Sequence, residues 1–220
     1  MKGLLLSETY AVLLSNAAGD ADLCQPQYGA GVILGGISDL QEARCIAVGS
    51  DGRLGAANPL PAECAGLSSL YRAIEDFSKD ILEWVDYYCC SPTGRNIRRL
   101  LEDLYESLEE KGMGETKIRK GLLGQRRRFT FYSERAAGVQ EQFLRKVISQ
   151  QWDSSTVFCL QMLQLAGVLK KLFPTGQRPC FKEALEQCRY MEEWKSREAY
   201  VNRIKNFVFQ NTVNSGAMYS

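Results

Sequence analysis

Apolar residues recur at helical spacing along most of the chain. Between Ala62 and Tyr88 they alternate steps of three and four, which predicts one long amphipathic helix with Phe77 on its apolar face. The same pattern from Arg95 onwards predicts a second helix that ends at a glycine stop, Gly112. Four further segments share this pattern and are bounded by glycine, proline or a polar capping residue: 29–43, 136–151, 155–173 and 181–209. The predicted fold class is therefore mainly α, a single helical domain with one or two surface β-hairpins.

Two segments favour β-hairpins over helix. Around Gly49-Ser50-Asp51-Gly52, short apolar runs flank a turn bounded by glycine. Further along, Gly121-Leu122-Leu123-Gly124 precedes Phe129 to Ser133, where aromatic and polar residues alternate as in a strand. The second hairpin is predicted to follow the 95–112 helix directly.

The first residues imitate a secretion signal weakly, because Leu4-Leu5-Leu6 is followed by a second apolar run. Glu8 places a charge inside that stretch, so an amphipathic first helix is predicted instead. Elsewhere no segment reaches the roughly 18 apolar residues that a membrane-spanning helix needs. We expect a cytoplasmic protein whose contact with a membrane is peripheral.

Length and composition predict one domain over residues 1–220, with a core over about 4–209 and a tail over 210–220. The eight cysteines contain no CxxC pair, and the chain has no histidine. We therefore expect reduced thiols and no metal site. The lack of histidine also excludes the common hydrolytic triads, so the protein is predicted not to be an enzyme and to use no cofactor.

Charge is segregated along a chain whose net charge is only +1. Residues 75–110 contain ten acidic residues and four basic ones. Residues 116–133 contain six basic residues and no acid: Lys117, Arg119, Lys120, Arg126, Arg127 and Arg128. One side of the molecule is therefore expected to face an anionic partner.

Cations around Leu122 and Leu123 suit a phospholipid surface, where charge attracts the head groups and leucine burial adds roughly 1.5 to 3 kcal/mol per side chain. An alternative is that the run is a solvated face and the leucines pack on the protein body. Nucleic acid is a weaker partner, because the total charge is near neutral and the acidic neighbouring helix would repel a long polyanion.

Several ordered segments together resemble a known family. They are residues 35–40 (GGISDL), 97–101 (IRRLL), 108–112 (LEEKG), the basic hairpin, 152–156 (WDSST) and 160–169 (LQMLQLAGVL). In this order they resemble the Golgi phosphoprotein 3 family, over about residues 4–209. A bacterial-type member is expected, since the leader of eukaryotic members is missing.

The resemblance implies a helical domain that docks peripherally on membranes, binding phosphatidylinositol 4-phosphate beside a hairpin that dips into the bilayer. In a eukaryote it would act on the cytosolic face of the Golgi and hold the tails of membrane proteins. An arginine pair of the family, one turn apart, maps onto Arg98 and Leu101, whereas Arg95 and Arg98 have that spacing one turn earlier. The family's tryptophan and arginine ahead of Asp39 have no match, which leaves the lipid species open.

We expect a non-enzymatic membrane adaptor that binds anionic, phosphoinositide-like head groups. The predicted head-group residues are Arg95, Arg98, Arg99, Lys117, Arg119, Lys120, Arg126, Arg127 and Arg128, and the predicted membrane-inserting residues are Leu122 and Leu123. The alternative is a helical scaffold whose hairpin binds a protein partner or a second copy of the chain.

Overall fold

The computed structural model describes residues 3–16, 19, 23–91, 93–121, 124–172 and 175–217, with the backbone alone described for 118–121, 124–127, 170, 175 and 211–217. The helices are α1 (Leu6–Leu13), α2 (Pro26–Glu42), α3 (Ser68–Asp76), α4 (Ile81–Cys89), α5 (Arg95–Glu110), α6 (Ser133–Ile148), α7 (Ser154–Leu165), α8 (Leu169–Leu172), α9 (Arg178–Cys188), α10 (Glu192–Lys195) and α11 (Glu198–Ala217). The strands are β1 (Ile46–Val48), β2 (Leu54–Ala56), β3 (Gly114–Gly121) and β4 (Gly124–Phe131), and 3-10 turns cover Ala62–Leu67 and Thr175–Gln177.

The mainly α fold class is confirmed, with two antiparallel hairpins, β1–β2 and β3–β4, in the described part of the chain. Helix α2 lies at the centre and packs against α1, α4, α7 and α11. Its glycines permit this close packing. A Cβ on Gly31 would lie 2.2 Å from the ring of Tyr10, so α1 can approach only because that side chain is missing.

The N-terminus of α1 is held by a carboxylate from α2. Asp39 accepts hydrogen bonds from the backbone N–H of Leu6 at 2.8 Å and of Ser7 at 2.9 Å, and from the Ser7 hydroxyl at 2.7 Å. Burial raises the pKa of Asp39, against the lowering effect of these bonds. The side chain thus satisfies amide groups that a helix leaves unpaired at its start.

A second carboxylate ties α1 to the end of α5. Glu8 is fully buried; its Oε2 lies 2.6 Å from Lys111 Nζ, and its Oε1 accepts from the Ser107 hydroxyl at 2.7 Å. Oε2 also accepts from the backbone N–H of Leu5 at 2.8 Å. Burying a carboxylate is costly unless it is paired and hydrogen-bonded, and Glu8 meets both conditions.

The predicted single helix from 62 to 88 is wrong, since a 3-10 turn, α3 and α4 occupy that stretch. Phe77 has an extended backbone and a side chain 51% exposed, although the periodicity predicted it to face the core. Leu54 N–H then donates to the Lys79 carbonyl at 2.8 Å. Asp80 starts a new helix by accepting from Glu83 N–H at 2.8 Å, while Glu83 accepts from Asp80 N–H.

The last two predicted helices are also interrupted. Gly167, at φ +69°, separates α7 from α8, and the 181–209 segment divides into α9, α10 and α11. Gln161 fixes the turn between α10 and α11, because its amide donates to the Trp194 carbonyl at 2.9 Å and its oxygen accepts from Arg197 at 2.9 Å. The sequence allows Asp153 or Ser154 as the cap of α7, and the structure has Asp153, which accepts from Thr156 N–H at 2.7 Å.

Helix α11 is attached to α4 by a two-pronged ion pair. Arg203 Nε lies 2.9 Å from Asp86 Oδ1, and Arg203 Nη2 lies 2.8 Å from Asp86 Oδ2. This hydrogen bonding lowers the pKa of Asp86. The pair therefore holds the C-terminal helix beside the core only while the carboxylate is ionised.

The Glu8 ion pair predicts a large effect from a small substitution. Glu8→Gln leaves the Lys111 ammonium largely buried without its counter-charge, and we expect the free energy of unfolding to fall by about 3 kcal/mol. Urea denaturation measures this, with the exposed Glu134→Gln as control. Adding Lys111→Met should recover part of the loss. A loss no larger than that of the control would contradict the assignment.

Asp86 predicts a pH-dependent difference in stability. Because its pKa in the folded protein lies below its usual 3.8, its contribution is present above that value and is lost as the pH falls through the folded pKa. Asp86→Asn should therefore be less stable than the unsubstituted protein at pH 6, and the gap should narrow as the pH falls below 3.8. Thermal unfolding across pH measures it. The exposed Asp76→Asn is the control, and a gap that widens on acidification would refute the expectation.

Candidate functional site

Strands β3 and β4 form the predicted basic hairpin, with one continuous antiparallel register. The register pairs Lys117 with Arg128 and Arg119 with Arg126. Gly121 pairs with Gly124 and closes the ladder around a two-residue connection. Leu122 and Leu123, the predicted membrane-inserting residues, lie outside the described residues.

The hydrogen bonds of two backbone N–H groups indicate which residue pairs of the ladder are hydrogen-bonded to each other. Thr116 N–H donates to Glu109 Oε1 at 3.4 Å, and Phe131 N–H donates to the Gly19 carbonyl at 2.9 Å. Both amides therefore point away from the opposite strand, as every second residue of an antiparallel ladder does. Side chains alternate between the two faces along a strand, so residues two apart share a face. The 117–128 and 119–126 pairs are therefore neighbouring pairs on one face of the hairpin.

Four cationic residues thus occupy two facing register positions on that face. Lys117 and Arg128 are exposed, and Lys117 Nζ lies 2.5 Å from the exposed Glu115 carboxylate. An ion pair this open to water contributes little stability. Like charges placed opposite one another are unfavourable in an isolated hairpin, so this face would gain from an anionic ligand.

Aromatic stacking on α5 anchors the base of the hairpin. The Tyr105 ring lies parallel to the Phe129 ring, with centroids 4.8 Å apart and 3° between the planes. The Phe131 ring also contacts the Phe129 ring, with centroids 4.9 Å apart and the planes nearly perpendicular. A Cβ on Gly114 would lie 2.6 Å from Phe129 Cζ, so glycine is needed where β3 crosses that ring. Sequence reasoning did not identify Tyr105.

The predicted arginine Arg98 shares a helix face with the residues that contact the hairpin. Tyr105 and Glu109 lie seven and eleven residues after it, which places each of them within about 20° of Arg98 around α5 at about 100° per residue. Along the axis Arg98 lies about 10 Å from Tyr105. Its guanidinium donates to the carbonyls of Thr93 and Gly94.

Of the other two predicted arginines of α5, Arg99 does not share this face. Arg95 and Arg99 are both exposed. Arg99 is rotated by about 100° from Arg98 and lies near Tyr88, where its charge opposes the rise in the Tyr88 pKa that burial causes. The structure therefore brings Arg98 into line with the hairpin base and places Arg99 on a different face, within electrostatic range of Tyr88. For Arg119, Lys120, Arg126 and Arg127 it gives the backbone register.

The acidic residues of α5 are mostly solvated, as expected, but one has a structural role. Asp103 accepts from the Ser68 hydroxyl at 2.8 Å and from Ser69 N–H at 2.7 Å, and so holds the start of α3. Glu102 and Glu106 are exposed. Over the described ranges, no group of acidic, cysteine or histidine residues is arranged to hold a metal ion, and no helix is both long and apolar enough to cross a bilayer.

The sequence was compared with models of known protein families and with curated proteins. Neither comparison gives a match. Any function must therefore be argued from the residues and the geometry described above.

The Tyr105 stack predicts that α5 controls the order of the hairpin. Tyr105→Ala removes the ring that covers Phe129, a contact worth about 0.5 to 1.5 kcal/mol beyond area burial. We expect the amides of β3 and β4 to exchange hydrogen about three to ten times faster, while those of α2 keep their protection. Tyr105→Phe should behave like the unsubstituted protein.

The exposed Tyr190→Ala is the matched control, because that side chain is 80% exposed. Unchanged exchange in Tyr105→Ala would show that the hairpin base is held without the stack.

Proposed function

We propose that this protein is a non-enzymatic peripheral membrane adaptor that binds anionic lipid head groups through the β3–β4 hairpin. The observation that carries the proposal is the register, in which Lys117 faces Arg128 and Arg119 faces Arg126. Like charges at facing ladder positions repel one another, and Glu115, paired with Lys117, offsets part of this repulsion. Lipid phosphates between them would remove that repulsion and release bound counterions.

The connection between Gly121 and Gly124 adds an apolar element to the proposal. Leu122 and Leu123 join Gly121 to Gly124 in the sequence, and the Gly121–Gly124 pair is the end of the ladder farthest from the α5 anchor. Two leucines that leave water together contribute more than cations alone, at roughly 1.5 to 3 kcal/mol each. We therefore propose that charge brings the hairpin to the surface and that the leucines enter the bilayer edge.

Arg98 is proposed as an additional head-group ligand, because it lies on the stripe of α5 that carries the hairpin contacts. Arg95 is its neighbour one turn earlier. Arg99, which lies off that stripe, is the weakest candidate of the three. The resemblance to the Golgi phosphoprotein 3 family supports a phosphoinositide as the lipid in a eukaryote, and the missing family residues near Asp39 favour general anionic binding in a bacterium.

Vesicle flotation tests the proposal. Arg126→Ser, Arg127→Ser and Arg128→Ser together remove three charges worth about 1 kcal/mol each near an anionic surface, so the partition coefficient on phosphatidylserine vesicles should fall by about a hundredfold. Leu122→Ser with Leu123→Ser should weaken partitioning at unchanged charge. Raising the salt concentration should weaken the unsubstituted protein more than the triple variant.

The matched control replaces three exposed cations elsewhere, Lys182, Arg189 and Lys205, with serine. This variant has the same net charge as the hairpin triple variant and should float like the unsubstituted protein. Equal losses in the two variants, or equal recovery on neutral and anionic vesicles, would refute the proposal. Vesicles with phosphatidylinositol 4-phosphate at matched total charge separate a specific lipid from general anionic binding.

A self-associating or protein-binding scaffold is the competing outcome. If the hairpin docks on a second copy, size-exclusion elution without lipid will depend on concentration, and the triple variant will elute later. That result, together with flotation unaffected by the triple substitution, would replace the adaptor proposal.

A further inference from the structure

A cleft of about 590 Å³ lies away from the hairpin residues, between the start of α1, the end of α2 and the facing sides of α6 and α7. Its volume is in the range of small-molecule sites in proteins. One wall is apolar and is formed by Leu5, Val139 and Phe143. The cleft can therefore hold a ligand with a hydrocarbon body.

The lining of the cleft also contains three acidic residues. Glu42 and Glu63 are exposed, and Asp39 is buried. Neither glutamate forms an ion pair with a residue that the structure describes. Asp39 already accepts three hydrogen bonds from Leu6 and Ser7, so it adds negative potential rather than a vacant ligand position.

The other ionisable groups of the lining do not offset this charge. Lys146 is the one cation among the lining residues, and its Nζ lies 2.7 Å from Asp153 Oδ2, which already balances it. Burial raises the pKa of Cys64 to about 12 and that of Cys159 to about 12, so both thiols are neutral at physiological pH. The unbalanced acidic residues of the cleft lining therefore favour a positively charged ligand.

We propose that this cleft binds a small aliphatic ammonium compound, with the cationic nitrogen between Glu42 and Glu63 and the hydrocarbon chain against Leu5, Val139 and Phe143. A carboxylate of the same length would meet the negative potential of three acidic residues. A neutral alcohol would gain the apolar wall but would lack the charge-assisted hydrogen bonds. The site is independent of the membrane proposal, since no hairpin residue lines it.

Isothermal titration with hexylamine, hexanol and hexanoate at pH 7 tests the inference on the full chain. Hexylamine, which is protonated at this pH, should bind at least about fivefold more tightly than hexanol, and hexanoate should bind least. Glu42→Gln with Glu63→Gln should weaken hexylamine binding by about five- to tenfold, since each exposed pairing contributes modestly. Glu102→Gln with Glu106→Gln removes two exposed charges from α5 and should leave binding unchanged.

A second pair of variants tests the apolar wall. Val139→Arg places bulk and positive charge in the cleft and should abolish hexylamine binding. Ala137→Arg, on an exposed position of the same helix, should not. Hexylamine and hexanol binding equally, no binding of hexylamine, or the same loss in the cleft and control variants would each overturn the proposal.

Discussion

The arrangement of the N-terminal half depends on a charge that has no access to water. Glu8 is fully buried, and burying a carboxylate is costly unless partners such as Lys111, Ser107 and the Leu5 amide surround it. That requirement places the start of α1 directly beside the end of α5, and Asp39 fixes the same helix end from α2. Three helices are thereby set relative to one another by polar contacts, and apolar packing fills the space between them.

Local chemistry was sufficient to predict much of the fold. Gly112, at φ +70°, ends α5 where the sequence indicated a glycine stop, and Gly121 and Gly124 close the ladder where they indicated a turn. The break after Asp76 does not follow from apolar spacing, which continues through Phe77. The capping box of Asp80 and Glu83 is a local signal for a new helix start, and it acts against that spacing.

Contacts between distant residues could not be predicted in this way. The Tyr105 ring reaches Phe129 only because β4 crosses the end of α5, and no local pattern indicates which aromatic residues will stack. The same holds for Asp103, which lies among solvated acids in the sequence and yet holds the start of α3. For the candidate site, the sequence located the cations and the hairpin, and the register added which cations face each other.

The contact between Glu8 and Lys111 joins residues 103 positions apart, and this has a consequence for the protein while it is being made. At about 5 to 20 residues per second, the ribosome adds Lys111 about 5 to 20 s after Glu8. Throughout that interval the nascent first helix has a carboxylate with no counter-charge to accompany it into a core. Stable docking of this segment must therefore wait until α5 has been synthesised, although the segment emerges first.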